Sequence, residues 1–180
     1  MQAWLLTSTY YGTWLPGDRR GSVTSVRDHR PDDPASTVRF EHDLPGEPYE
    51  EPIPELEHSA RELMTGPAIF LAAAHAIVLR EQFLATATFR KWEPFAISIM
   101  FNHFHMVVRA PVAVKPDKLL GDFKAYGSRK LSENFGKPAS ETWWTYGGSK
   151  RKVRDEASAI YYVLHKQPNP LVVWEASKVA

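Results

Sequence analysis

The sequence contains no cysteine. That removes disulfides, thiolate metal sites and cysteine nucleophiles together, and leaves any metal to His, Asp, Glu, Asn or Gln. Long apolar runs are missing too: no stretch approaches the roughly 20 residues that cross a bilayer, and the N-terminal Met-Gln-Ala-Trp-Leu-Leu-Thr-Ser has neither a basic leader nor a long apolar core. The expectation is a soluble, cytoplasmic protein with no membrane partner. A Gly-x4-Gly-Lys-Ser/Thr phosphate loop is also lacking, so no nucleoside triphosphate is visible as an energy source. Internal repeats and low-complexity tracts are absent as well.

Net charge is scarce, at +1, but it is unevenly spread. Residues 115 to 154 carry ten Lys and Arg against four acids, a local excess of +6 that leaves −5 for the remainder. One basic region on a folded surface can hold a phosphate backbone without a high overall pI. A solvated helix face followed by a charged turn would look the same in sequence.

What is present is enough for one core: 180 residues, 43% of them hydrophobic, within the usual size of one domain. A single domain spanning 1–180 is therefore expected. Ala3 to Tyr11, rich in aromatic and β-branched residues and ending at Gly12, reads as an opening strand. From Pro16 to Pro54 lie seven of the 14 prolines, so about 16–55 reads as a long Pro-rich loop or insertion. A helical pattern follows from about Glu55 to Phe89, broken at Gly66 and Pro67, which predicts a short helix and then a longer one starting near Pro67. Two apolar runs between Pro94 and Ala110 meet at Asn102, as in a hairpin. Lys115 to Phe135 is an amphipathic helix with Leu119, Leu120, Phe123, Leu131 and Phe135 inward, stopped by Gly136 and Pro138. Trp143 to Val153 reads as a strand with a Gly147-Gly148 turn, and Asp155 to Gln167 as a last helix ending before Pro168. The order strand, helix, hairpin, helix, strand, helix describes an α+β fold: a ferredoxin-like antiparallel sheet with helices packed on one face and an additional C-terminal helix.

His103 and His105 stand two apart on the second strand of the hairpin, so both rings project from one face and can reach one ion. With oxygen donors completing the shell, Mg²⁺ or Mn²⁺ suits the site, and Zn²⁺ also accepts imidazole. A pair of ordinary strand histidines would show the same spacing.

The residues around this pair carry a resemblance. Asn102-His103-Phe104-His105 leading into Met106-Val107-Val108 resembles the HUH signature of the single-tyrosine transposases, both the insertion-sequence type and those associated with repetitive extragenic palindromes. Gly12-Thr13-Trp14-Leu15-Pro16-Gly17-Asp18, Phe123-Lys124, Trp143-Trp144 and Tyr162-Val163-Leu164 recur in that family in the same order. The resemblance covers most of the chain outside roughly residues 22 to 60.

It implies metal-dependent cleavage and rejoining of single-stranded DNA through a covalent 5′-phosphotyrosine, with the nucleophile on the C-terminal helix. Tyr162 fits that position; Tyr161, about 100° away on a helix, competes, and Tyr126 is a more distant candidate. The family places an Asn or Gln about one turn later to complete the metal shell, but Lys166 stands four residues after Tyr162, and a protonated lysine cannot ligate a cation. His165 and Gln167 are the candidate substitutes. Lys124, Arg129, Lys130, Lys150, Arg151, Lys152 and Arg154 are expected at DNA phosphates. Trp143, Trp144 or Trp14 could stack on unpaired bases; of Trp143 and Trp144 on one strand only one should face outward, and Trp144 is taken as that residue. The partner implied is single-stranded DNA, hairpin or palindromic, met by a monomer or a homodimer associated with the nucleoid. Two other readings stay open: a DNA-hairpin-binding protein without catalysis, and an unrelated His-metal phosphoesterase.

Overall fold

The computed structural model describes residues 1–20 and 52–177. These divide into two compact units, one made of residues 1–13 and 65 onward, the other of residues 14–64. Most of the expected loop at 16–55 lies outside the described residues.

In the smaller unit the described chain forms one helix, α1 (Pro54–Glu62), with proline in its first turn. The Ile53 N–H before it donates to the Gly17 carbonyl at 3.0 Å. Gly17 has φ +81°, and a Cβ there would lie 2.3 Å from the Ile53 carbonyl oxygen and 2.8 Å from the Glu57 nitrogen, so the position requires glycine. Asp18 accepts from Arg20, whose guanidinium also lies 4.6 Å over the Trp14 ring.

The larger unit is a five-stranded antiparallel sheet. Its elements are β1 (Gln2–Thr9), α2 (Ala73–Arg90), β2 (Glu93–Ile99), β3 (His103–Ala110), α3 (Pro116–Phe135), β4 (Ser149–Lys152), α4 (Glu156–His165) and β5 (Val172–Glu175). The strand order is β4-β1-β3-β2-β5. The first four follow the ferredoxin-like arrangement, in which each helix crosses over one strand to reach the next parallel position. β5 extends the β2 edge.

Period-two alternation divides the central strands between two faces. Leu6, Ile97, Ile99, Phe104, Met106 and Val108 point to the face covered by α2 and α3 and are fully buried there. Phe83 of α2 is 4.9 Å from Phe104 and 5.4 Å from Phe123 of α3, ring centre to ring centre. Gly127 in the middle of α3 lets these helices and Trp144 approach: a Cβ there would come 2.8 Å from Leu79 and 3.3 Å from the Trp144 ring.

The opposite face carries a much smaller apolar cluster of Ala96, Val107 and Val163, with Leu5, Phe95, Ala159, Ile160 and Leu164 around it. Among the described residues, α4 is the helix that packs there. Asp155 caps α4 by accepting from the Ser158 N–H, and Arg109 ties its first turn to the sheet, bonding Glu156 at 2.7 Å and Glu93 at 3.2 Å.

Several expected boundaries move. α2 starts at Ala73, not near Pro67, because the preceding residues run extended and are held by tertiary bonds: the Ile69 N–H donates to Tyr11 and the Leu71 N–H to Phe101. Regular pairing in the fourth strand is confined to Ser149–Lys152, with Trp144 in an isolated bridge to Tyr10. Alternation therefore does not govern the tryptophan pair, and Trp143 and Trp144 are both buried. Phe135 is 40% exposed and lies against His75 at the helix end. Among the described residues no helix is long and apolar enough to cross a membrane.

Candidate active site at the histidine pair

β3 places His103 and His105 on the α4 face, opposite Thr9 and Thr7 of β1. Their rings are 4.9 Å apart and nearly perpendicular. Each is oriented by one neighbour. The His105 Nδ1 is 2.6 Å from the Thr7 hydroxyl, and the His103 Nδ1 is 2.6 Å from the Asn102 side-chain oxygen. The tautomer in which both Nδ1–H groups donate to these oxygens would leave the ring lone pairs on the two Nε2 atoms, as a shared cation needs.

His105 is only 7% exposed. Burial, followed by the neighbouring His103 and, more weakly, Arg151, pulls its pKa down to about 3, against a hydrogen bond with Gln167 that favours the charged ring. The imidazole is therefore neutral at physiological pH and available as a ligand.

The end of α4 supplies the rest. The Tyr162 ring meets His105 edge-on at 5.4 Å and 73°. Helical hydrogen bonding closes at Lys166, whose N–H donates to Tyr162, since Pro168 disfavours helix in the residue before it. The chain then turns so that Gln167 donates to the Tyr162 carbonyl at 3.1 Å and also bonds His105. The neighbours diverge. Tyr161 packs against His165 at 4.8 Å, with the Lys166 ammonium 5.6 Å over its ring. Of the two substitutes for the missing Asn or Gln, Gln167 reaches the histidine pair, and His165 sits with Tyr161. Tyr126 belongs to α3, on the other face of the sheet.

Residues 69 to 150 match a family model described as IS200-like transposase. That segment, less than half of the chain, is similar to the IS200-like transposase family. The match takes in His103 and His105 and stops before α4, so it covers the histidines but not Tyr162 or Gln167. Two solved structures are similar in fold. A candidate transposase from Deinococcus radiodurans R1 is 11% identical, with 87% of this chain and 82% of that one covered and a TM-score of 0.48. A REP-associated tyrosine transposase bound to a REP hairpin is also 11% identical, with 90% of this chain and 62% of that one covered and a TM-score of 0.42. No curated relative matches the chain in sequence.

The cations expected at DNA fall in different places on the protein. Arg151 alone of the β4 cations shares the histidine face, in register with Leu5. Its Nε is buried and has no hydrogen-bond partner among the described residues. Lys150 and Lys152 point the other way, with Lys150 paired to Asp117 at 2.6 Å. Arg129 stacks on Tyr126 and Lys130 pairs with Glu133, both on α3; Arg154 is exposed beyond β4. Lys124 is largely internal: its ammonium donates to the carbonyls of Thr145 and Gly147 at 2.6 and 2.7 Å, and burial, then Lys150, lowers its pKa to about 8. Trp144 is 5% exposed, and its indole N–H is taken by Ser128 and the Lys124 carbonyl.

Sequence reasoning missed Thr7 as a partner of His105. No local signal marks it, because the contact depends on β1 pairing with β3 across nearly a hundred residues.

Proposed function

We propose that this protein is a transposase that cleaves and rejoins single-stranded DNA with Tyr162 as nucleophile and with His103, His105 and Gln167 as the protein ligands of a divalent ion, Mg²⁺ or Mn²⁺. The observation that carries this reading is the convergence of Tyr162 and Gln167 on His105. The donor set fits such an ion: two imidazoles contacted at Nδ1, and an amide. Among the described residues no cluster of three His, Cys, Asp or Glu offers a rival site. When bound, the ion supplies Lewis-acid polarisation of the scissile phosphate.

The chain's own residues do the remainder. Tyr162 is 40% exposed, so its hydroxyl can reach a phosphate without unfolding α4. The phenol oxygen forms a bond to phosphorus as the bond to the 3′ oxygen breaks; the phenol proton is lost, and a 3′-hydroxyl departs with a proton. The 5′-phosphotyrosine retains the phosphodiester's energy, and attack by another 3′-hydroxyl returns the phenol and joins new ends. Arg151, with an unpartnered guanidinium nitrogen on the same face, is suited to a non-bridging phosphate oxygen.

Labelled hairpin oligonucleotides incubated with the protein in Mg²⁺ or Mn²⁺ and run on denaturing gels test the proposal. A metal-dependent protein-DNA adduct is expected, lost in Tyr162→Phe and kept in Tyr161→Phe. Loss in Tyr161→Phe alone would reassign the nucleophile. Binding without any adduct would leave a DNA-binding protein, and small phosphoester turnover that survives Tyr162→Phe would indicate a hydrolase.

A further inference from the structure

The tryptophan expected to stack on a base is buried, yet two phenylalanines to which the sequence assigned no role are not. Phe70 is 57% and Phe101 49% exposed, and their rings stack on each other at 5.6 Å and 20°. We propose that Phe70 and Phe101 form a platform on which an unpaired nucleobase of the DNA strand stacks beside the histidine pair. The inference rests on the single-stranded DNA reading and adds a base-binding site to it.

Three features support it. The first is position. Phe101 lies in the β2–β3 turn, which is closed by the Met100 N–H on the His103 carbonyl, and only Asn102 separates it from His103. Two residues of chain span at most about 7 Å between Cα atoms, so Phe101 and His103 share one end of the hairpin and a base on Phe101 belongs to a nucleotide near the scissile phosphate. Asn102, between the two, bonds the His103 ring, so the platform and the ligand are set by the same turn.

The second is rigidity. The Leu71 N–H donates to the Phe101 carbonyl at 2.7 Å, which fastens the Phe70 segment directly to the turn. The Asn102 carbonyl accepts from the Tyr10 N–H at 3.0 Å and the Thr13 hydroxyl at 2.9 Å, and the Ile69 N–H donates to Tyr11 at 2.8 Å. Exposed aromatic rings on a fixed backbone lose little conformational freedom when a ligand arrives.

The third is chemistry. Every base offers a π-face, so a nearly coplanar phenyl pair can take a base irrespective of sequence. Neither ring has a polar atom that could read a base edge, so the platform positions a strand without selecting its sequence.

The full-length protein in EDTA, where cleavage is arrested, is titrated with single-stranded oligonucleotides carrying 2-aminopurine at successive positions. Phe70→Leu with Phe101→Leu keeps the apolar bulk and removes the π-faces; Phe101→Trp restores one. For the wild type, fluorescence quenching is expected at a restricted set of positions. The double leucine variant should lose that quenching and bind about 5- to 150-fold more weakly, and the Trp variant should bind like the wild type. If the wild type binds and the leucine variant binds and quenches equally well, the platform is wrong and the DNA reading survives. A change in sedimentation at unchanged DNA affinity assigns the pair to a contact between copies and likewise overturns it. If the wild type binds no single-stranded DNA, both readings fall together.

Discussion

Acidification should destabilise this protein through His105, and the size of the effect follows from its burial. The native ring titrates at about 3 against an ordinary value of 6.5. Between those values the unfolded chain binds a proton that the folded chain refuses, so unfolding is favoured progressively as pH falls from about 6.5 to about 3, and below that this group adds nothing further. At about 1.4 kcal/mol per pH unit the full loss is on the order of 4 to 5 kcal/mol, a large share of the roughly 5 to 15 kcal/mol that holds a typical domain folded. Urea unfolding of the wild type and His105→Gln, in EDTA from pH 7.5 to 4, isolates the effect because the carboxylates common to both cancel. The wild type should lose about 3 kcal/mol relative to the variant between pH 6.5 and 4. Parallel stability curves would refute the claim that the native state holds His105 neutral.

Three further perturbations probe what surrounds that ring. Thr7→Val removes the hydroxyl on the His105 Nδ1 and should weaken Mn²⁺ binding by about 10- to 100-fold in calorimetry; an unchanged affinity would remove Thr7 from the site. Gly148→Ala should destabilise the fold by about 1 to 3 kcal/mol in denaturant titration, because φ is +141° and the new Cβ would lie 2.7 Å from the Thr7 carbonyl oxygen and 2.7 Å from Leu120. Arg151→Gln should weaken binding of unrelated single-stranded oligonucleotides alike and make the slope of log K against log salt shallower by about one; an unaltered slope would show that Arg151 meets no phosphate.

The readable parts of the fold were those written in local pattern. The hairpin around Asn102 and the helix from Pro116 announce themselves by period and by punctuation, and both stand close to where the sequence puts them. β5 went unseen because its four residues, Val172 to Glu175, are too few to establish a period, and their pairing with β2 is a tertiary fact. In the proposed site, the histidine pair and Tyr162 were legible as candidates, while the choice between His165 and Gln167 was left open. That choice depends on where the helix lets go, and one residue of difference rotates a side chain by about 100°. The expectation that one of the two tryptophans faces outward failed for a related reason. Alternation was applied to Trp143 and Trp144, which lie outside the regular strand, whereas the exposed aromatics sit in a turn and a loop where no periodicity applies.

In β3 the two parities of one strand serve different masters. Phe104, Met106 and Val108 belong to the large core, and His103 and His105 to the opposite face. Evolution can therefore vary a ligand and leave the large core intact, and substitutions at the two kinds of position should accumulate nearly independently. Length is another matter. Losing one residue within His103–Val108 would exchange the two faces downstream of the deletion, turning core side chains outward and displacing the histidine pair at once. This strand should tolerate substitutions at ligand positions far more readily than any insertion or deletion, and a comparison of variants by type of change would reveal that asymmetry without any assay of activity.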